Sequence, residues 1–120
     1  MPLSTKDFLL QCGVRPDLQG YYYLADLIER RREWLRSKEK ENWRLMAEIA
    51  IVAKDYKGVS DTQIERCCRH AIEKCYDKAI TDNAMIHLFD GVVDPDKGKP
   101  TNNTFICTAA EYLEHISRGL

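Results

Sequence analysis

The stretch Asp61-Thr62-Gln63-Ile64-Glu65-Arg66-Cys67-Cys68-Arg69-His70-Ala71-Ile72-Glu73-Lys74-Cys75-Tyr76-Asp77-Lys78-Ala79 decides how this chain is read. No Gly or Pro interrupts it. An α-helix advances about 100° per residue. Stepping from Ile64 at that pitch puts Ile64, Cys67, Cys68, Ala71, Ile72, Cys75 and Ala79 on one stripe. Thr62, Arg66, Arg69, His70 and Glu73 fall on the opposite side. The pattern predicts a helix over 61–79 with a buried stripe of mostly small residues. Its exposed side is polar and cationic over the first two turns.

Working back from this helix, Lys57-Gly58-Val59-Ser60 reads as a turn. Trp43, Met46, Ala47, Ile49, Ala50, Ala53 and Tyr56 recur at helical spacing and predict a helix over 43–56. Helix, short glycine-containing turn, helix is the outline of a helix-turn-helix, here over about 43–79. Any helical bundle contains such pairs, so the outline alone is weak. Further back, Tyr21, Leu24, Leu27, Ile28 and Leu35 predict a helix that begins near Leu18 or Gly20 and reaches Lys38. Ahead of it, Ser4 with Asp7 resembles an N-cap, and Gly13 ends a short helix containing Phe8, Leu9 and Leu10.

Working forward, Thr81 or Asp82 caps a short helix with Ala84, Met85, Leu88 and Phe89. Residues 90–100 read as an irregular loop or a short hairpin. Thr101 or Asn102 then caps a last helix with Phe105, Ile106, Ala109, Tyr112, Leu113 and Ile116 on its apolar side. The expected fold is all-α: one domain over 1–120, a compact bundle of about six helices containing a helix-turn-helix.

Composition agrees with a soluble domain of 120 residues, 44% hydrophobic and 31% charged. No apolar run approaches the ~20 residues that a membrane-spanning helix needs. The opening residues lack the basic-then-apolar order of a signal peptide, so the expected location is the cytoplasm. Five cysteines without an export signal read as free thiols, with Cys67, Cys68 and Cys75 as small buried residues of one helical pattern. The net charge of −1 argues mildly against nucleic acid. Its distribution matters more: residues 29–44 hold seven basic side chains against four glutamates, and residues 90–120 hold five acids against three bases. This predicts a basic side and an acidic side.

The small, cationic side of helix 61–79 suits a major groove, where an arginine can give two bonds to a guanine edge. Glu65 can accept from a cytosine amino group or orient an arginine. It stands four residues before Arg69, the spacing of an intrahelical pair. The competing reading is an ordinary solvated face. Lys97 and Lys99 flank the start of the last helix and could meet phosphate there, although a solvated loop reads equally well. The run Arg30-Arg31-Arg32 is a wet helix face or a strip for a DNA backbone or a partner.

A thiol or metal sensor built on Cys67, Cys68, Cys75 and His70 lacks the paired spacing of zinc sites. Catalysis finds no support, since His87 and His115 stand alone. Asp90, Asp94 and Asp96 do not fit a calcium loop. Neither a cofactor nor a metal is expected, and no enzyme.

Residues 64–73, Ile-Glu-Arg-Cys-Cys-Arg-His-Ala-Ile-Glu, resemble the recognition helix of the C-terminal effector domain of the stage zero sporulation response regulator A family. Two further blocks resemble that family in order. Gly13-Val14 leads to Gly20-Tyr21-Tyr22-Tyr23-Leu24, and Lys99-Pro100-Thr101-Asn102-Asn103-Thr104-Phe105-Ile106 leads into the last helix. The resemblance covers nearly the whole chain. It implies six helices, sequence-specific binding to a short asymmetric box of double-stranded DNA, and transcriptional regulation. In the family the Glu-Arg and Arg-His pairs face DNA; here these are Glu65, Arg66, Arg69 and His70. The expected DNA-binding set is Thr62, Gln63, Glu65, Arg66, Arg69, His70, Glu73, Lys74, Lys97 and Lys99. The resemblance leaves open a homodimer or tandem copies on DNA, and RNA polymerase as a further partner.

Thr62 and Gln63 depart from the family at the start of the helix. The family's regulator also carries a receiver domain, for which the few residues ahead of the first helix leave no room. The chain therefore reads as a stand-alone effector module or a fragment. The alternative function is a helical interaction module that keeps the fold and modulates a related regulator without binding DNA.

Overall fold

Gln19–Arg36 forms the helix against which every other α-helix packs. In a computed structural model that describes residues 3–38, 40–77 and 84–118, the elements follow in this order: α1 (Thr5–Gln11), α2 (Gln19–Arg36), α3 (Leu45–Ala53), α4 (Asp61–Asp77), a 3-10 helix (Ala84–Val92) and α5 (Asn102–Ser117). No strand occurs among the described residues; the architecture is all-helical. The Cα radius of gyration is 13.9 Å, close to the roughly 13.6 Å of a single compact unit of this length.

Local chemistry sets the first elements. Ser4 Oγ accepts from the Asp7 amide at 3.1 Å and starts α1. Gly13, at φ 89°, reverses the chain after α1. In α2 the first ten residues are largely buried: Gly20, Tyr21, Tyr23, Leu24, Ala25, Leu27 and Ile28. So broad an apolar surface belongs to a helix covered on several sides.

The tightest approach is between α2 and α4. A Cβ placed on Gly20 would lie 2.1 Å from the Cys67 carbonyl oxygen and 2.7 Å from the Ala71 Cβ. The backbone of α2 thus rests directly on the middle of α4, which explains the small residues on the α4 stripe.

An aromatic group closes the other side. Phe89 stacks on Phe105 at 4.5 Å and meets Phe8 edge-on at 6.3 Å, while Phe8 also meets Tyr112 at 5.7 Å. These rings join α1, the 3-10 helix and α5.

The charged second half of α2 is partly paired within the molecule. Arg32 Nε donates to Glu114 at 2.7 Å, Arg36 lies 3.6 Å from the same carboxylate, and Arg30 Nε donates to Glu48 at 2.6 Å. The guanidinium of Arg31 lies over the Trp34 ring at 4.0 Å and the Trp43 ring at 5.1 Å. The arginine strip is therefore engaged inside the molecule, partly with the acidic segment that was expected to oppose it.

Several element boundaries differ from the periodic reading, and α2 stops at Arg36, short of Lys38. α3 is Leu45–Ala53, shorter than 43–56. Trp43 leaves the helix to meet Trp34 edge-on at 6.3 Å and to donate from Nε1 to Asn103 at 2.8 Å. Tyr56 leaves it to donate its hydroxyl to Asp26 and to pack perpendicular to Tyr23 at 4.9 Å. The connection to α4 thus spans 54–60, longer than the turn expected at 57–60.

The fifth helix is 3-10 in type and continues to Val92, into the expected loop. After it, an antiparallel bridge pairs Asp94 with Lys99 around Gly98 at φ 71°, which is the short hairpin in minimal form. The expected caps Thr81 and Asp82, and Ala79 at the end of the stripe, lie outside the described residues.

Replacing Gly20 by Ala should lower stability by about 3 kcal/mol, because overpacking a rigid backbone contact outweighs Ala's higher helix propensity. Gly91→Ala, where a Cβ meets nothing within 4 Å, should cost nothing comparable. Urea midpoints of the two variants check this; equal midpoints would contradict the close α2–α4 approach.

Candidate nucleic-acid interface

α4 begins with a capping box. Ser60 Oγ accepts from the Gln63 amide at 3.2 Å, and Gln63 Oε1 accepts from the Ser60 amide at 3.3 Å. The Ser-x-x-Gln spacing carried this signal in the sequence, and it gives Gln63 a structural task. With 17 residues, α4 is about 25 Å long. Ile64, Cys68, Ala71, Ile72 and Cys75 are buried as the stripe predicted, whereas Cys67 is only half-buried.

The opposite side carries the candidate readers. Thr62, Gln63, Arg66, Arg69 and His70 are exposed, and Glu65, Glu73 and Lys74 are half-buried. Arg69 donates to Glu65 at 2.9 Å, the intrahelical pair expected from their spacing. Arg66 has no ion-pair partner among the described residues. Arg69 and His70 stand one turn on from it, also exposed.

A cleft of 540 Å³ runs beside this side. Glu65, Arg69 and Ile72 of α4 form one wall, and Leu45 and Met46 of α3 form another. Lys97, Lys99 and residues 100–103 complete it. Thr101 caps α5 by accepting from the Thr104 amide at 3.2 Å. The first turn of α5, with its partial positive charge, therefore borders the same cleft as Arg69 and Lys97.

The two lysines are not equivalent. Lys97 is exposed. Lys99 has a side chain only 19% exposed and is hydrogen-bonded to Glu73. That bond holds the Glu73 carboxyl below its usual range against the opposing effect of burial, and the charge of Lys99 and the nearby Arg69 and His70 add to the lowering. Lys99 and Glu73, expected to face DNA, are bonded to each other, so that Lys99 braces α4.

Sequence reasoning missed Asn102, whose side-chain amide donates to the Glu65 carbonyl of α4 at 2.9 Å. It also missed Asn103, which accepts from Trp43. Both contacts join distant segments, so no local spacing could reveal them.

Burial pushes the Cys75 thiol up to about 12 and raises Cys12 and Cys68 as well, which keeps them as inert thiols near neutral pH. Among the described residues no group of three His, Cys, Asp or Glu could hold a metal ion. Asp94 is used within its own turn, accepting from the Asp96 amide at 2.9 Å. His87 is exposed and lies 3.0 Å from Asp90, and His115 is exposed. No described helix is long and apolar enough to cross a membrane.

Compared with known families, residues 5–113 match the family model described as sporulation initiation factor Spo0A C terminal. No solved structure matches the chain.

The Glu73 shift makes a pH prediction. A depressed carboxyl stabilises the fold above its unfolded pKa, about 4.3, and loses that effect as pH falls through the folded value. Lys99→Met should therefore lower the urea midpoint at pH 7. The difference from the parent chain should shrink below about pH 4. A difference independent of pH would show that Lys99 acts through packing alone.

Proposed function

We propose that this chain, which belongs to the family of sporulation initiation factor Spo0A C terminal, is a sequence-specific double-stranded DNA-binding transcriptional regulator that reads the major groove with α4. The observation that carries the reading is the orientation of that helix. Its apolar stripe is buried, and this turns Arg66, Arg69 and His70 outward together.

In this reading the N-terminal half of α4 enters the groove. Arg66, without an internal partner among the described residues, donates to the O6 and N7 acceptors of a guanine. Arg69 is held by Glu65, which fixes the plane of its guanidinium for a base or phosphate. Alternatively, Glu65 itself accepts from a cytosine amino group. His70, Lys74 and Lys97 meet phosphates, and the start of α5 offers backbone amides to another. Thr62 lies at the groove's edge. Gln63 and Lys99 contribute by holding α4. The net charge of −1 does not oppose this, because Arg30 and Arg32 are paired with Glu48 and Glu114 while Arg66 and Lys97 stay exposed near α4.

Tandem copies on the duplex, or a homodimer, would be the bound form, with RNA polymerase as a further partner in the cytoplasm. The role is binding and not catalysis. An interaction module that binds no DNA is the second reading. Met46 and Ile51, 48% and 40% exposed on α3, favour it as apolar surface open to another protein.

Selection from random duplexes should return a defined box, with affinity falling steeply as salt rises. Arg66→Ala should relax one base position, losing about 1–3 kcal/mol of discrimination there. Lys97→Ala should weaken all duplexes alike and reduce the salt slope by about one. Fluorescence anisotropy measures all three effects. No binding to any duplex at low salt would overturn the DNA reading and leave the interaction module.

A further inference from the structure

We propose that Asn102, with Lys99, positions α4: together they clamp the helix from the start of α5 and set the register on which sequence discrimination depends. The inference rests on the DNA-reading function above and names residues that make no base contact of their own.

The clamp has two points on α4. Asn102 Nδ2 donates to the backbone carbonyl of Glu65 at 2.9 Å. Lys99 Nζ is bonded to the Glu73 carboxylate. Residues 65 and 73 are about 12 Å apart along a helix axis. One anchor would let the helix pivot; two anchors more than two turns apart fix both its axial position and its rotation. The carbonyl of Glu65 has a second lone pair, so the Asn102 bond adds to the helical ladder without replacing a bond in it.

The base of the clamp is itself held. Thr101 caps α5. Asn103 accepts from Trp43 Nε1 at 2.8 Å, which ties the same turn of α5 to the segment leading into α3. Three consecutive side chains at the start of α5 thus cap their own helix and hold both parts of the helix-turn-helix.

Glu65 is where positioning becomes specificity. Its carbonyl is held by Asn102, and its carboxylate holds Arg69 at 2.9 Å. A bidentate base contact tolerates displacement of only about 0.5 Å. Attraction between a cation and a phosphate falls off more gently with distance. Loosening the clamp should therefore cost discrimination before it costs general affinity for DNA.

The test compares Asn102→Ala and Asn102→Asp with the parent chain. Asp keeps the size of Asn, removes the donor, and adds an acid in the first turn of α5, where it supports the helix. The thermal midpoint of Asn102→Asp should thus be preserved, while the bond to Glu65 is lost. The readout is the ratio of affinities for the selected box and for a scrambled duplex at one salt concentration. We expect both variants to lower that ratio about fivefold, the effect of one lost hydrogen bond. The salt slope on scrambled DNA should stay unchanged for Ala. Hydrogen exchange of the α4 amides, measured without DNA, should quicken in both variants relative to α2.

An unchanged ratio in Asn102→Asp, with the parent chain discriminating, overturns the clamp and leaves the DNA reading standing. If the parent binds no duplex, the DNA reading and the role in discrimination both fall. The exchange data then decide the mechanical clamp alone, and unaltered protection of α4 overturns that as well.

Discussion

The backbone contact between Gly20 and Cys67 is the constraint on which the rest of the arrangement depends. With no side chain at Gly20, the first turn of α2 reaches the carbonyl of Cys67 and the methyl of Ala71. A side chain there would push α4 outward along its whole length. The cysteines and alanine of the α4 stripe are the other half of the same constraint: bulkier residues would hold the helices apart whatever stood at position 20. The placement of Thr62 and Arg69 follows, since at about 100° per residue they lie opposite this contact.

Charge is distributed in the same spirit of internal matching. In the most basic stretch of the chain the arginines of α2 are largely engaged within the molecule, while Lys38, Lys40 and Arg44 stay exposed. Arg30, Arg32 and Arg36 meet Glu48 and Glu114, and Arg31 lies over two indole rings. Glu114 is nearly buried, so its pairing with Arg32 is needed to avoid an uncompensated charge more than it is a source of net stability. Arg66 stays exposed on the outer side of α4, and the exposed Arg69 and Lys97 both line the cleft beside it. A near-neutral chain can in this way present a positive face, and its net charge says little about its partner.

The start of α5 links these two themes. Its first residues cap the helix, hold α3 and α4, and line the cleft next to Arg69. The family likeness spans residues 5–113, from α1 into α5, and so includes this joint as well as α4. A reading helix is useful only when the body behind it resists displacement, and most of that resistance here comes from segments remote in sequence.

The sequence by itself determined the helical class, the buried stripe of α4, the exposure of Arg66, Arg69 and His70, and the Glu65–Arg69 pair. All of these follow from a period of 3.6 residues and from contacts between residues three or four apart. The tertiary structure decided the rest. Trp43 and Tyr56 fit the helical period of α3 yet stand outside it, because their polar atoms meet partners 60 and 30 positions away. Lys99 has the look of a free cation until folding brings Glu73 to it. Gln63 falls between these cases: its capping partner is local and its signature was present in the sequence, but an exposed polar residue on a candidate reading helix fits both roles. Periodicity reports which side of a helix is covered. What covers it, and which polar groups are thereby occupied, depends on contacts that only the closed fold makes.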